Sequence, residues 1–271
     1  MALRVNTNTF SLNAQKNLAM TGEKLGGSFA KLSSGLRIVT AADDAAGLGI
    51  SERMRAQIKS MDMASRNAQD GVSLVQTAEG ALSEVSSNLV RMRELAVEAS
   101  NGTLNASDRA SLDAEFSALS DEISRVAEET SFNGIALLNT ASTIAIQVGT
   151  DSGDTIDITT TDMDGTALGV ATLSITDATT ASAALASIDT AIDSVVTQRG
   201  DFGATQNRMQ SAMRSIASTT ENLTGAESRI RDVDVARETA ELTKNRILQQ
   251  AATSVLAQAN TQPQLALSLL G

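Results

Sequence analysis

The 271-residue sequence contains no cysteine, histidine, tryptophan or tyrosine, five phenylalanines and a single proline. Each absence removes a class of chemistry. Without thiols or imidazoles there is no thiolate or imidazole metal site, no Ser-His or Cys-His nucleophile pair and no histidine proton shuttle. Most familiar enzyme mechanisms are therefore excluded, and no catalytic residues, cofactor or metal is expected. Base stacking has no platform with only 2% aromatic residues, and 21 Lys and Arg against 32 Asp and Glu leave a net charge of −11 that repels phosphate backbones. Nucleic acid is not the partner. With no cysteine, disulfides cannot report the redox compartment. A basic start followed by an apolar run is also missing, because Asn6, Thr7, Asn8, Thr9, Ser11 and Asn13 interrupt every candidate. The uncharged segment from Ile247 to Gly271 carries Gln249, Gln250, Gln258, Asn260, Gln262 and Gln264, which makes a bilayer span costly. Something other than lipid has to cover it.

What the sequence does hold is 42% hydrophobic residues, mostly Ala, Leu, Ile and Val with nine Met. Small apolar side chains suit close helix packing. Met61, Ala68, Val75, Leu82, Leu89 and Ala96 recur every seventh residue, with Ala64, Gly71, Ala78, Val85, Met92 and Ala99 three further on. This is a heptad seam. A helix from Asp44 to Ser100 spans about 80 Å at helical rise, and Asn101-Gly102 is a natural stop. A second pattern starts at Ser107, read as an N-cap with Asp108 in the first turn, and continues through Leu112, Phe116, Leu119, Ile123, Val126 and Thr130. It is expected to fold back antiparallel on the first.

A third pattern pairs Ile188, Val195, Phe202, Met209, Ile216 and Leu223 with a row of Leu185, Ile192, Arg199, Gln206, Met213 and Thr220. Arg199, Gln206, Gly200 and Gly203 make its middle polar, so neighbouring helices or a partner must satisfy it. Alternation in Thr143–Val148 and Thr155–Thr159, around a turn at 149–154, predicts a β-hairpin. From Asn139 to Gln198 there are several Asp and no Lys or Arg, which reads as a solvated, outward-facing insertion. The ends differ again. Arg4, Lys16, Lys24, Lys31 and Arg37 face a single acid, Glu23, within the first forty residues. Leu18, Leu25, Phe29, Leu32 and Leu36 form one apolar face there, and Ala240, Ile247, Ala251, Val255 and Ala259 form another near the C-terminus. Isolated helices of this size gain most of their stability by burying a face, so both ends are expected to dock in the company of other copies.

The expected fold is mainly α: an elongated antiparallel coiled-coil helical rod from 45–139 and 177–225, a small β-hairpin in an acidic variable insertion at 140–176, and terminal helices at 1–44 and 226–271. Other motifs have plainer readings. Asp43-Asp44 at a helix start reads as a cap. Asp162, Asp164 and Gly165 lack the remaining ligands of a calcium loop. Arg199-Gly200-Asp201 lies within a helical seam, where it is poorly placed for adhesion. Asn101-Gly102-Thr103, Asn105-Ala106-Ser107 and Asn222-Leu223-Thr224 fit a glycosylation pattern that arises often by chance.

Beyond these patterns, Lys31 to Ser51, with Leu32-Ser33-Ser34-Gly35-Leu36-Arg37 and Ala41-Ala42-Asp43-Asp44-Ala45-Ala46-Gly47-Leu48, closely resembles the amino-terminal signature of bacterial flagellin. So do Asn67-Ala68-Gln69-Asp70-Gly71, Arg91-Met92-Arg93-Glu94-Leu95-Ala96, Phe132-Asn133-Gly134, Gln206-Asn207-Arg208 and the segment from Ala226 to Gln262. The resemblance implies a secreted filament subunit of the extracellular flagellum, whose terminal helices form an inner tube of coiled coils. It implies as partners the chain itself, an export chaperone on the carboxyl-terminal region, a filament cap and hook-associated proteins. Leu18, Leu25, Phe29, Leu32, Leu36, Ile247, Ala251 and Val255 become the terminal assembly residues. Arg91, Leu95 and Glu115 match positions that flagellins present to Toll-like receptor 5, Arg91 pointing away from the seam and Leu95 lying on its flank. O-linked sugar on the hydroxyls between Asn139 and Ala184 follows from the same resemblance, and the bulky outer domains of larger relatives are expected to be missing. The competing reading is a secreted coiled-coil interaction or flagellar junction protein that does not polymerise.

Overall fold

A computed structural model describes the backbone of residues 7–268 and the side chains of residues 7–261. The chain divides into two compact units, one built from the chain ends up to residue 56 and from 222 onward, the other from 57–221. Five helices carry the fold: α1 Thr9–Ser34, α2 Ala45–Ala99, α3 Ala106–Glu129, α4 Ala178–Arg231 and α5 Val235–Ser268. Two small antiparallel ribbons complete it: β1 Ser131–Phe132 with β2 Ile135–Ala136, and β3 Ser142–Gln147 with β4 Thr155–Thr160.

In the 57–221 unit the heptad rows of α2 are enclosed along Ala64, Ala68, Val75, Ala78, Leu82, Val85, Leu89, Met92, Ala96 and Ala99. The buried face is wider than two rows, because Val72, Leu74 and Leu95 are covered too. That width reflects two neighbours. Arg93 to Asp189 and Arg199 to Glu79 are ion pairs between α2 and α4 whose numbers run in opposite directions, so these helices are antiparallel. Arg91 reaches Glu115 on α3 from another side of α2. Gly71 sits where α2 is most crowded, since a Cβ there would lie 2.9 Å from Met209 Sδ and 3.2 Å from Ile146 Cγ1.

Two expected details shift. α3 is capped by Asn105 rather than Ser107: the Asn105 Oδ1 accepts from the Asp108 amide at 2.9 Å, and Asp108 Oδ2 accepts from the Asn105 amide at 3.3 Å, a reciprocal capping box. On α4 the second buried row is Ala184, Ala191 and Gln198, one residue before the expected Leu185, Ile192 and Arg199. Leu185, Ile192 and Met213 flank the core, half-buried. Alanines let the helices approach closely, and the larger neighbours fill the groove beside them. The polar middle is met internally only in part, since Arg199 Nε is enclosed without a hydrogen-bond partner among the described residues. Gln198 donates to the Thr159 carbonyl at 2.8 Å and accepts from the Thr161 hydroxyl at 2.7 Å, while Arg199 pairs with Glu79 at 3.8 Å.

The hairpin forms where alternation places it, in the register Ser142 to Thr160 through Gln147 to Thr155. It is not simply solvated. Ile156, Ile158 and Thr160 are buried, and Met163, Leu168, Val170 and Ile175 join the same core. The aspartates occupy the other face of this segment, while its apolar alternation roofs the helices. Asp113 of α3 holds the return by accepting from the Ile175 amide at 2.7 Å and the Ser174 hydroxyl at 3.0 Å. In the tight β1–β2 turn Asn133 and Gly134 both take positive φ, 49° and 79°, the backbone that an Asn-Gly hairpin turn requires.

Candidate assembly interface

In the unit built from the chain ends, α1 and α5 run antiparallel along a seam that the sequence patterns concealed. Asn8 donates to the Ala259 carbonyl at 2.7 Å and Ser11 to Asn260 at 2.8 Å, while at the far end Arg37 donates to the Arg231 carbonyl at 2.6 Å. On α1 the covered or half-covered residues are Ser11, Ala14, Leu18, Thr21, Leu25, Ser28 and Leu32. On α5 they include Leu242, Asn245, Gln249, Ala252, Leu256 and Ala259. Both follow the three-then-four spacing of a coiled coil. The two ends therefore pair with each other within one chain, rather than only in the company of other copies.

The stripes expected from sequence fall differently. Leu18, Leu25 and Leu32 line the seam, and Leu36 is half-buried in a bridge to Asp232. Phe29 stands exposed with the Arg246 guanidinium 5.6 Å from its ring centre. Of the C-terminal stripe only Ala259 meets α1. Ile247 is 61% and Val255 58% exposed, Ala251 is also exposed, and Leu248, Phe10, Leu12 and Met20 add to this uncovered apolar surface. The reason is composition: α5 is apolar on more than one side, and a single neighbour covers one of them.

The loops that join these helices to α2 and α4 are tied to one another. Val233 donates to the Gly35 carbonyl at 3.0 Å, and the Arg37 guanidinium donates to the Ile230 carbonyl at 3.1 and 2.5 Å, capping the end of α4. Arg231 pairs with Glu52 at 2.6 Å. Asp44 acts as a cap, as read, whereas Asp43 braces the turn that precedes it. Asp44 Oδ1 accepts from the Gly47 amide at 2.9 Å, starting α2. Asp43 accepts from the Thr40 amide at 3.0 Å and the Val39 amide at 3.2 Å, and these bonds, with Lys31 at 3.6 Å, hold its carboxyl below the usual range.

The other surface singled out lies on α2 and α3. Arg91 donates to Glu115 from Nε at 2.9 Å and Nη2 at 2.8 Å and to Glu94 from Nη1 at 3.0 Å, and these bonds raise its pKa. All three side chains remain about half exposed. Leu95 does not lie on an accessible flank. It is 0% exposed, because the face of α2 that carries Arg91 and Leu95 turns toward α3, a neighbour absent from a two-row seam. Asp162 and Asp164 are spent on local amides, accepting from Asp164 at 3.2 Å and Ala167 at 2.6 Å, and among the described residues no three acidic groups converge to hold a metal ion. Among the same residues no helix is long and apolar enough to cross a membrane.

Long helices with small-residue seams place the chain in the helical, coiled-coil class of proteins. Residues 5–143 match the bacterial flagellin N-terminal helical region and residues 185–270 the bacterial flagellin C-terminal helical region. The chain is 49% identical to a flagellin of Halalkalibacterium halodurans over 98% of this chain and 99% of that one, and 44% identical to a flagellin of Bacillus subtilis over 99% and 100%. Its fold is similar to the crystal structure of Bacillus cereus flagellin, with a TM-score of 0.52 and 38% identity over 60% of this chain and 94% of that one. A flagellar hook-associated protein structure from Vibrio parahaemolyticus shares the fold at a TM-score of 0.60 and 16% identity. The chain belongs to the bacterial flagellin family, the structural proteins of the flagellar filament.

Proposed function

We propose that this chain polymerises with copies of itself into the extracellular flagellar filament that drives motility, with residues 1–44 and 226–271 as an inner layer, 45–139 and 177–225 outside it, and 140–176 outermost. The observation that carries this reading is the apolar surface left open on α1 and α5: Phe10, Leu12, Met20 and Phe29 on one, Ile247, Leu248 and Val255 on the other. An uncovered surface of this kind marks a partner site. Stiffness would follow from long helices stacked along the axis, and alternative supercoils from small changes in their sliding register. Seeding purified chain with filament fragments tests the reading. Full-length protein is expected to elongate the seeds, and a variant lacking residues 1–30 is expected to stay monomeric with its central helices intact. Full-length chain that remains monomeric under seeding refutes it and favours the non-polymerising interaction protein.

The same proposal includes secretion of the unfolded chain, with an export chaperone on the carboxyl-terminal region and assembly beneath a filament cap next to hook-associated proteins, and membership of the family supports it. Recognition of the monomer by Toll-like receptor 5 is supported by the exposed Arg91 and Glu115. With Leu95 enclosed, the charged pair carries that proposal. A receptor reporter assay on Arg91→Ala, with the melting midpoint unchanged, should show reduced signalling. Equal signalling removes Arg91 from the recognition surface.

A further inference from the structure

The α1–α5 seam contains one residue that the lone chain does not satisfy. Asn245 is 3% exposed, yet its carboxamide has no hydrogen-bond partner among the described residues. Beside it a groove of about 470 Å³ runs between the two helices, lined on α1 by Asn17, Met20 and Lys24 and on α5 by Leu248, Ala252 and Val255. Asn245 itself lines this groove, and its carboxamide atoms are not among the fully enclosed polar atoms that lack a hydrogen bond, so in the lone chain the amide opens on the groove, whose lining lacks packing partners.

We propose that Asn245 sets the axial register between neighbouring copies of this chain, its carboxamide taking its hydrogen bond from a terminal helix of a second copy that lies in this groove. The inference rests on the filament reading and assigns it a register residue. Three features identify the occupant. The lining extends from Glu241 to Val255, about 20 Å of helix, which suits several turns of another helix rather than a small ligand. The exposed Met20, Leu248 and Val255 line one stretch of the groove and the charged Lys24, Glu241 and Lys244 another, a mixture of apolar and charged side chains such as a terminal helix of this chain presents. Lys24 on the groove has no ion pair among the described residues, which suits a neighbour carrying a carboxylate such as that of Glu238, since Glu241 is already paired with Lys244 at 3.3 Å. A single buried Asn at a seam position fixes register in coiled coils because every shifted alignment leaves the amide unpaired.

The test uses full-length chain with Asn245→Leu, Asn245→Ala and Asn245→Gln, assembled on filament fragments and read by critical concentration, by helical pitch in electron micrographs and by thermal melting of the monomer. Asn245→Leu is expected to melt no lower than the wild type, since an unpaired amide gives way to an apolar group. Its critical concentration is expected to rise about tenfold, the scale of one buried hydrogen bond, and its filaments to mix helical forms. Asn245→Ala, which cannot clash, should shift assembly the same way, and Asn245→Gln, which keeps the amide, should recover most of the loss. Wild-type assembly and pitch in both Asn245→Leu and Asn245→Ala overturn the inference. So does a rise in critical concentration that only mirrors lost monomer stability, which makes Asn245 a packing residue. A wild-type chain that fails to elongate seeds sinks the filament reading itself, and the two failures are thus distinct.

Discussion

Replacing Ile247 and Val255 together by glutamine separates assembly from stability. The two side chains are 61% and 58% exposed in the single chain, so most of their apolar surface is still in water. Full burial of an Ile or Val stabilises by about 1.5–3 kcal/mol; with three-fifths of that outstanding, each has about 1–2 kcal/mol to contribute on association. The pair then accounts for about 3 kcal/mol, or about a hundredfold in critical concentration. Monomer stability should hardly change, because surface substitutions usually fall within about 0.5 kcal/mol and glutamine is a good helix former. The assay is sedimentation of polymer from seeded solutions across a concentration series, with far-ultraviolet circular dichroism melts of the same samples. An unchanged critical concentration refutes the assignment of this stripe to the interface. A melt that falls as far as that of a core variant refutes the reading that α5 leaves these side chains in water.

The core should respond in the opposite sense: Leu89→Ala or Phe202→Ala removes a fully enclosed side chain and should cost about 3–5 kcal/mol, measured as a shift in urea midpoint at constant slope. Asn105→Ala breaks the capping box at the start of α3 and should cost about 1 kcal/mol, whereas Ser107→Ala should cost much less; equal effects would return the cap to Ser107. The Asp43 carboxyl is held low by the Thr40 and Val39 amides and by Lys31. A depressed folded value means its stabilisation is full above the ordinary carboxylate range and is lost as pH falls through the folded pKa. Hydrogen exchange at the Val39 and Thr40 amides should therefore accelerate on acidification in the wild type, beyond the intrinsic trend, and show no such transition in Asp43→Asn.

The parts of this protein that were legible in its residues are those governed by local repetition. The α2 rows, the stop at Asn101-Gly102, the cap at Asp44 and the hairpin at 142–160 each depend on neighbours a few positions away. Errors arose wherever a second or third element shares the burial. Ser107 lost the cap to Asn105 because both offer a side-chain acceptor and only the backbone decides which lies in reach. The second row of α4 moved to Ala191 and Gln198 because close approach selects small residues that hydropathy ranks below Ile192. Gln198 gave no apolar signal; its burial depends on Thr159 and Thr161, nearly forty residues away.

Composition and heptad period alone determined that this chain is mainly helical and without thiol or imidazole chemistry, because residue types and their spacing along a helix are properties of the chain itself. Tertiary structure alone decided which stripe of α5 meets α1, that Leu95 is enclosed while Arg91 is not, and that the Asn245 carboxamide opens on the groove with no hydrogen-bond partner among the described residues. A helix that is apolar on several sides offers several equivalent faces, and only the packing of another element against one of them determines which are covered and which remain open to a neighbour.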